Sequence, residues 1–251
     1  TKDSTAGRLL AKKMKTVLSQ EKRFEKEAQS MTQKPLEEEQ IQLFFSDIEP
    51  LAASKVIVRL ENETLSIGQR ILSQGLQLTI RGQEKIGIIG PNGVGKSTLL
   101  AKLHQLLSGK REISLGFMPQ DYQETLQLNL SPVEFLSQTG HKEEIQKIQS
   151  HLASLNFSYP EMHHQIHSLS GGQQGKLLLL NLVLRKPNFL LLDEPTRNFS
   201  PTSQPEIRKL FANYSGGLVT VSHDRRFLKE VCTSIYSLTE HGLEVVDLQD
   251  L

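Results

Sequence analysis

Hydrophobic positions along this chain change period at two places, and each change marks a structural unit. Near the N-terminus Leu10, Met14, Val17, Glu21, Phe24, Ala28 and Met31 alternate steps of four and three, an a/d heptad seam with one polar interruption at Glu21. No Pro or Gly falls between Gly7 and Pro35, so one coiled-coil-type helix is expected over residues 8–31, about 36 Å long at 1.5 Å per residue. A seam this narrow is marginal alone. No other segment offers a matching one, so its partner is expected outside this chain, which opens on Thr1 rather than Met. The alternative is a helix that packs on its own globular domain.

Pro35 and the acidic run Glu37–Glu39 mark a connecting segment over 35–53. From Ser54 the period becomes that of strands: Lys55–Arg59, Ile71–Ser73, Leu76–Ile80 and Lys85–Ile89 between Gly/Asn/Gln turns. After Gly90 strands alternate with helical patterns. Helices are expected at Ser97–Leu107, Ser131–Leu155, Gln173–Leu184, Pro205–Tyr214 and Arg225–Val231, and strands at Ile113–Met118, Phe189–Asp193 and Leu218–Ser222. Ser234–Thr239 and Leu243–Asp247 form a closing hairpin. Alternating elements with uniformly apolar strands imply an α/β fold, its parallel sheet covered on both faces. An antiparallel β part is expected before Gly90 and a helical insert after Gln120.

Composition narrows the class. The chain has 251 residues with 29 Lys+Arg against 28 Asp+Glu, and 37% of it is apolar, enough for one sizeable core. The balance hides an asymmetry, because residues 1–34 hold nine Lys/Arg against four Asp/Glu. A basic arm on a mildly acidic body suggests a polyanion such as nucleic acid, the alternative being a solvated helix face. The longest greasy stretch, Leu177–Leu184, is broken by Asn181, so no membrane insertion is expected. The basic N-terminus has no apolar segment behind it. With one cysteine, Cys232, the expectation is a cytoplasmic protein.

Three motifs carry chemistry. Gly90-Pro91-Asn92-Gly93-Val94-Gly95-Lys96-Ser97 matches G-x-x-x-x-G-K-[ST] between a strand and a helix, the context this pattern requires. Backbone N–H groups from Gly93 to Thr98 can converge on phosphate oxygens, Lys96 can reach the β- and γ-phosphates, and Ser97 can ligate Mg²⁺. Phe189–Leu192 is an apolar strand that delivers Asp193 beside that loop, where it can hold Mg²⁺ through water, followed by Glu194 as general base for an attacking water. Leu169-Ser170-Gly171-Gly172-Gln173 opens a further helix with a second glycine-rich N-terminus. Glu161, His163, His164 and His167 have roughly metal-ligand spacing but read as an exposed polar segment.

Together these motifs, in this order, resemble the ATP-binding-cassette nucleotide-binding domain, over about residues 54–240. The resemblance implies a P-loop NTPase (RecA-like) core with an antiparallel β subdomain and a helical subdomain at about 121–186, within a cassette over 54–251. It makes Gln120 the Q-loop glutamine and a third metal-site residue beside Ser97 and Asp193, Leu169 to Gln173 the signature, and His223 the switch histidine. Two such domains stack head to tail, so Ser170 and Gly172 would touch a nucleotide held by the opposing cassette. Ser222-His223-Asp224-Arg225-Arg226-Phe227-Leu228 is similar to the switch region of ABC-F proteins, which lack membrane domains and act on the ribosome. Their two cassettes are joined by paired helices, and the basic arm at 1–34 is similar to the end of that linker. The resemblance thus implies an ATP- and Mg²⁺-dependent ATPase whose partners are a second cassette, in an N-terminal half of the same polypeptide, and the ribosome or its RNA. Glu194–Pro201 further resembles the antibiotic-resistance members, which act by ribosome protection.

Two departures stand out. Ser200 occupies a position where the family usually has Asp. No Phe, Tyr or Trp lies between residues 46 and 116 to stack on adenine, which leaves an aliphatic platform from Ile67 or Ile71. The competing function is the ATPase subunit of a membrane transporter with a separate permease chain; the heptad arm and Ser222–Leu228 favour the ribosomal one.

Overall fold

A computed structural model describes residues 43–250. The expected helix over 8–31, the basic arm, and residues 35–42 of the connecting segment lie outside the described residues. Strand β3 (Lys85–Ile89) sits inside a six-stranded sheet of order β4-β5-β6-β3-β7-β8, with β4 Leu115–Met118, β5 Phe189–Asp193, β6 Gly217–Val221, β7 Ser234–Thr239 and β8 Gly242–Val246. All pairs are parallel except the closing β7–β8 hairpin.

Two apolar layers explain why the central strands carry almost no polar residue. Helix α1 (Lys96–Leu107) covers one face with Leu99, Leu100, Leu103 and Leu107 against Ile86, Ile88, Phe189, Leu191, Val219 and Val221. Leu190, Leu192, Leu218 and Ile235 point the other way, against α5 (Gly171–Arg185), α6 (Gln204–Ala212) and α7 (Arg225–Val231). Successive β-strand residues face opposite sides. In β5, therefore, Asp193 falls on the same face as Phe189 and Leu191, the face that carries α1. Strand parity alone aims its carboxyl at the helix N-terminus after Gly95.

The antiparallel β part expected before Gly90 is present, with longer strands than the sequence pattern suggests. β3 joins the parallel sheet, while β1 (Val56–Ile67) and β2 (Arg70–Arg81) form one long antiparallel hairpin. Glu61-Asn62-Glu63 continues the strand through a bulge, with Asn62 at φ 55° and a register shift between Leu60 and Glu63. Glu63 is tied to α1 by Lys102 Nζ at 2.7 Å. Its polar residues face solvent, which is why their sequence looks like a turn.

The single helix expected over Ser131–Leu155 is two, α2 (Pro132–Leu136) and α3 (Lys142–Ser154). Gly140 breaks them at φ 70°. The Glu144 carboxylate fills the break, accepting from Ser137 Oγ, Gln138 N, Thr139 N, Thr139 Oγ1 and Gly140 N within 2.7–3.1 Å. Helix α4 (Tyr159–His163) follows, and a capping box joins Ser158 to Glu161. Glu161 also accepts from Gln173 Nε2 at 2.8 Å. Among the described residues no group of His, Cys, Asp and Glu has the arrangement to hold a metal ion. Cys232 is buried, its thiol pushed up to about 12 by burial.

Donation from the loop holds Glu144 at about 2, well below its ordinary 4.5. A depressed carboxylate contributes stability that is fully present above 4.5 and is lost as pH falls toward 2. Glu144→Ala should therefore melt earlier than wild type at pH 6, with the gap narrowing steadily from pH 5 to pH 3. Thermal melts across that range check it, and a pH-independent gap contradicts the assignment.

Candidate active site

Loop 90–95 turns sharply because its glycines can. Gly90, Gly93 and Gly95 take φ of 145°, 81° and 108°. A Cβ on Gly90 would lie 2.6 Å from the Leu238 carbonyl oxygen, and one on Gly95 would lie 2.8 Å from Leu65. Lys96 is buried and its Nζ donates to the carbonyls of Gly90 (2.8 Å) and Pro91 (2.9 Å), so the ammonium braces its own loop. Burial pulls the Lys96 pKa down, and Glu194 and Asp193 oppose that pull.

Asp193 is also buried, and burial raises its carboxyl pKa. The neighbouring Ser97 hydroxyl and the charges of Lys96, Arg197 and His223 oppose this rise. Directly after the strand, Glu194 adopts φ 52°, a left-handed conformation unusual for a residue with a side chain. Its N–H donates to Val221 O at 2.9 Å, and its own carbonyl accepts from Arg197 N at 3.1 Å. The turn brings its carboxyl to His223, whose backbone N–H donates to Oε2 at 3.3 Å and whose Nε2 stands 3.7 Å from Oε1. Oε1 is buried and lacks a hydrogen-bond partner. Desolvation raises the Glu194 pKa, and the His223 N–H only partly offsets this.

These groups wall one cavity of about 710 Å³. Asn92, Gly93, Gly95, Lys96, Ser97 and Thr98 supply its floor, and Gln120, Asp193, Glu194 and His223 supply one wall. Ile67 and Leu72 line it too. Ile71 lines a neighbouring cavity of about 430 Å³, together with Leu72 and Val94, so of the two expected aliphatic residues only Ile67 lines this one. Leu72 escapes sequence reasoning because only the β1–β2 register places it beside Gly95. Arg197, which has no motif signature of its own, also lines this cavity.

Ser170, Gly171, Gly172 and Gln173 do not line it. Ser170 instead caps α5, accepting from Gln173 N at 3.3 Å while Gln173 Oε1 accepts from Ser170 N at 3.0 Å. The two glycine-rich motifs stand apart. Phe199 packs over Gly175 of α5, where a Cβ would meet the ring at 2.8 Å. Ser200 hydrogen-bonds to Thr202 Oγ1 and Ser203 Oγ, each at 2.9 Å.

A carboxylate with a raised pKa and an unsatisfied oxygen opposes folding once it ionises. Glu194→Gln should raise the melting temperature of the empty protein at pH 7.5 by ~2–4 °C, the shift expected for about 1 kcal/mol in a domain this size. The gain is present above the raised folded-state pKa and vanishes as pH drops below 4.5, where both forms are neutral. Melts of both proteins at pH 7.5 and pH 4 test this.

Comparison with known proteins agrees with the geometry. The family model described as ABC transporter matches residues 73–197. The probable ATP-binding protein YheS of Escherichia coli K12 is 30% identical over 81% of this chain and 33% of its own length. The putative ATP-binding protein YdiF of Bacillus subtilis is 31% identical over 94% of this chain and 38% of its own. The ribosome protection protein VmlR of Bacillus subtilis is 30% identical, over 91% and 42% respectively. The chain thus spans about a third to two fifths of the length of these relatives. In fold, it is similar to the ATP-binding cassette MJ0796, solved as a dimer in a post-hydrolysis state bound to ADP and Pi. That match has a TM-score of 0.63 at 21% identity and covers 76% of this chain and 98% of the other. Among the described residues no helix is long and apolar enough to cross a membrane. Over residues 73–197 the chain matches the ABC transporter domain, and its relatives include ABC transporter F family members 2 and 5 of Arabidopsis thaliana, 26% and 27% identical.

Proposed function

We propose that the chain is one cassette of a soluble two-cassette ABC-F protein that hydrolyses ATP in the cytoplasm and acts on the ribosome. The observation that carries the catalytic part is the convergence of Lys96, Ser97, Gln120, Asp193, Glu194 and His223 on one cavity. The loop N–H groups and Lys96 take the phosphates. Ser97, Gln120 and Asp193, which line one cavity, offer a hydroxyl, an amide oxygen and a carboxylate, the hard donors that suit Mg²⁺. The ion would supply charge neutralisation at the β- and γ-phosphates.

Glu194 is the general base. Its raised pKa and free Oε1 make it a better proton acceptor than an ordinary surface carboxylate, and His223 orients its other oxygen. Glu194→Gln should retain nucleotide binding and lower turnover ~10²–10⁴-fold. Steady-state phosphate release checks it, and turnover within threefold of wild type removes Glu194 from the role.

Each cavity lacks a signature of its own, because Ser170–Gln173 lie elsewhere on the cassette. A second cassette must bring its equivalent to this site and receive these residues at its own. The relatives' greater length is consistent with a second cassette in the same polypeptide, joined through the basic arm at 1–34. Contact with the ribosome rests on that arm, on the F-branch relatives and on VmlR. Similarity to VmlR and the segment Glu194–Pro201 favour ribosome protection against a bound antibiotic as the task.

Adding the second cassette should raise turnover per site at least about tenfold. Ribosome pelleting should fall as salt rises, since Arg8–Lys26 would displace counterions from RNA. Equal turnover in both preparations contradicts the shared site, and salt-independent pelleting contradicts the role of the arm.

A further inference from the structure

The four charged side chains that line the main cavity are Lys96, Asp193, Glu194 and Arg197. Lys96 is the cation expected there, yet it is buried, its Nζ already donates to two loop carbonyls, and it faces two carboxylates. Without Arg197 the lining would carry a net negative charge, a poor place for a triphosphate. Arg197 restores the balance. It is exposed and stands one turn beyond Glu194, fixed by the 3.1 Å bond from its N–H to the Glu194 carbonyl.

Arg197 also lines a second cavity of about 510 Å³, together with Ser97, Gln120, Asp121, Glu124, Asp193 and Asn198. It therefore belongs to the wall that both cavities share, on the side of Ser97, Gln120 and Asp193. That is the end of the nucleotide site at which the terminal phosphate must lie, given the positions of Lys96 and Glu194. The Asp193 carboxyl already feels its charge, as does the Tyr122 hydroxyl.

We infer that Arg197 binds the γ-phosphate from within the same cassette, so that it sets the preference for nucleoside triphosphate over diphosphate. The inference rests on the nucleotide-site reading above. A guanidinium offers five N–H donors in a planar fork suited to phosphate oxygens, and its affinity for phosphate grows with each charge-assisted hydrogen bond. A diphosphate ends short of this position and gains nothing from it. The competing role is structural. In that case Arg197 merely neutralises Asp121 and Glu124 across the second cavity.

Fluorescent ADP and a fluorescent non-hydrolysable ATP analogue, titrated with Mg²⁺ into the 251-residue chain, distinguish the two. Arg197→Ala should weaken the ATP analogue about tenfold while ADP affinity changes by less than about twofold. Arg197→Lys, which keeps the charge and loses the fork, should fall between. If both nucleotides weaken equally, or neither does, Arg197 has no γ-phosphate role and the structural one stands. Lys96→Ala is the control for the site itself. It should weaken ADP as well as the ATP analogue, and its failure to affect either would overturn the nucleotide-site reading and this inference with it.

Discussion

Three formal charges, on Lys96, Asp193 and Glu194, are held largely out of water at the end of a sheet built from apolar strands. Burying ions is costly unless partners are at hand. The rest of the cassette is arranged to supply them. β5 must be apolar on both faces so that the sheet can carry α1 on one side and α5 to α7 on the other. Its last residue must then be polar, because it leaves the sheet at the mouth of the phosphate loop. The carboxylates lower the cost of Lys96 and it lowers theirs, so none of the three is independent of the others.

Some of this was legible in the sequence. The bounds of β5, α7 and β7 follow from continuous apolar runs and short amphipathic patterns, where burial and period agree. The phosphate loop was legible because its glycines, lysine and hydroxyl stand in one short segment. The β1–β2 hairpin was not, since Glu61-Asn62-Glu63 breaks the strand pattern and only pairing with β2 shows that the strand continues past a bulge. The break at Gly140 was hidden by an apolar pattern that runs on through Ile145, Ile148 and Leu152. What decides it is a set of side-chain bonds to Glu144, which no periodicity reports.

The site divides the same way. Cavity-lining residues that belong to a motif are legible in the sequence; those that a turn or a strand register brings there are not. Arg197 reaches the cavity because Glu194 takes a left-handed conformation, and Leu72 reaches it because of strand register. Neither position has a local signature. The structure also keeps Ser170–Gln173 away from the phosphate loop, so the second glycine-rich motif contributes nothing to the cavity of its own cassette.

The bonds from Lys96 to the Gly90 and Pro91 carbonyls have a thermodynamic consequence. They fix the loop in a curved form, aided by glycines at positive φ. The conformational entropy of ordering that loop is therefore lost when the chain folds, not when an anion arrives. An incoming phosphate meets a concave surface with its donors already aimed and pays little further ordering cost. Affinity at this loop is thus linked to the stability of the cassette, and a change that loosens the β3–α1 junction weakens nucleotide binding without touching a phosphate contact.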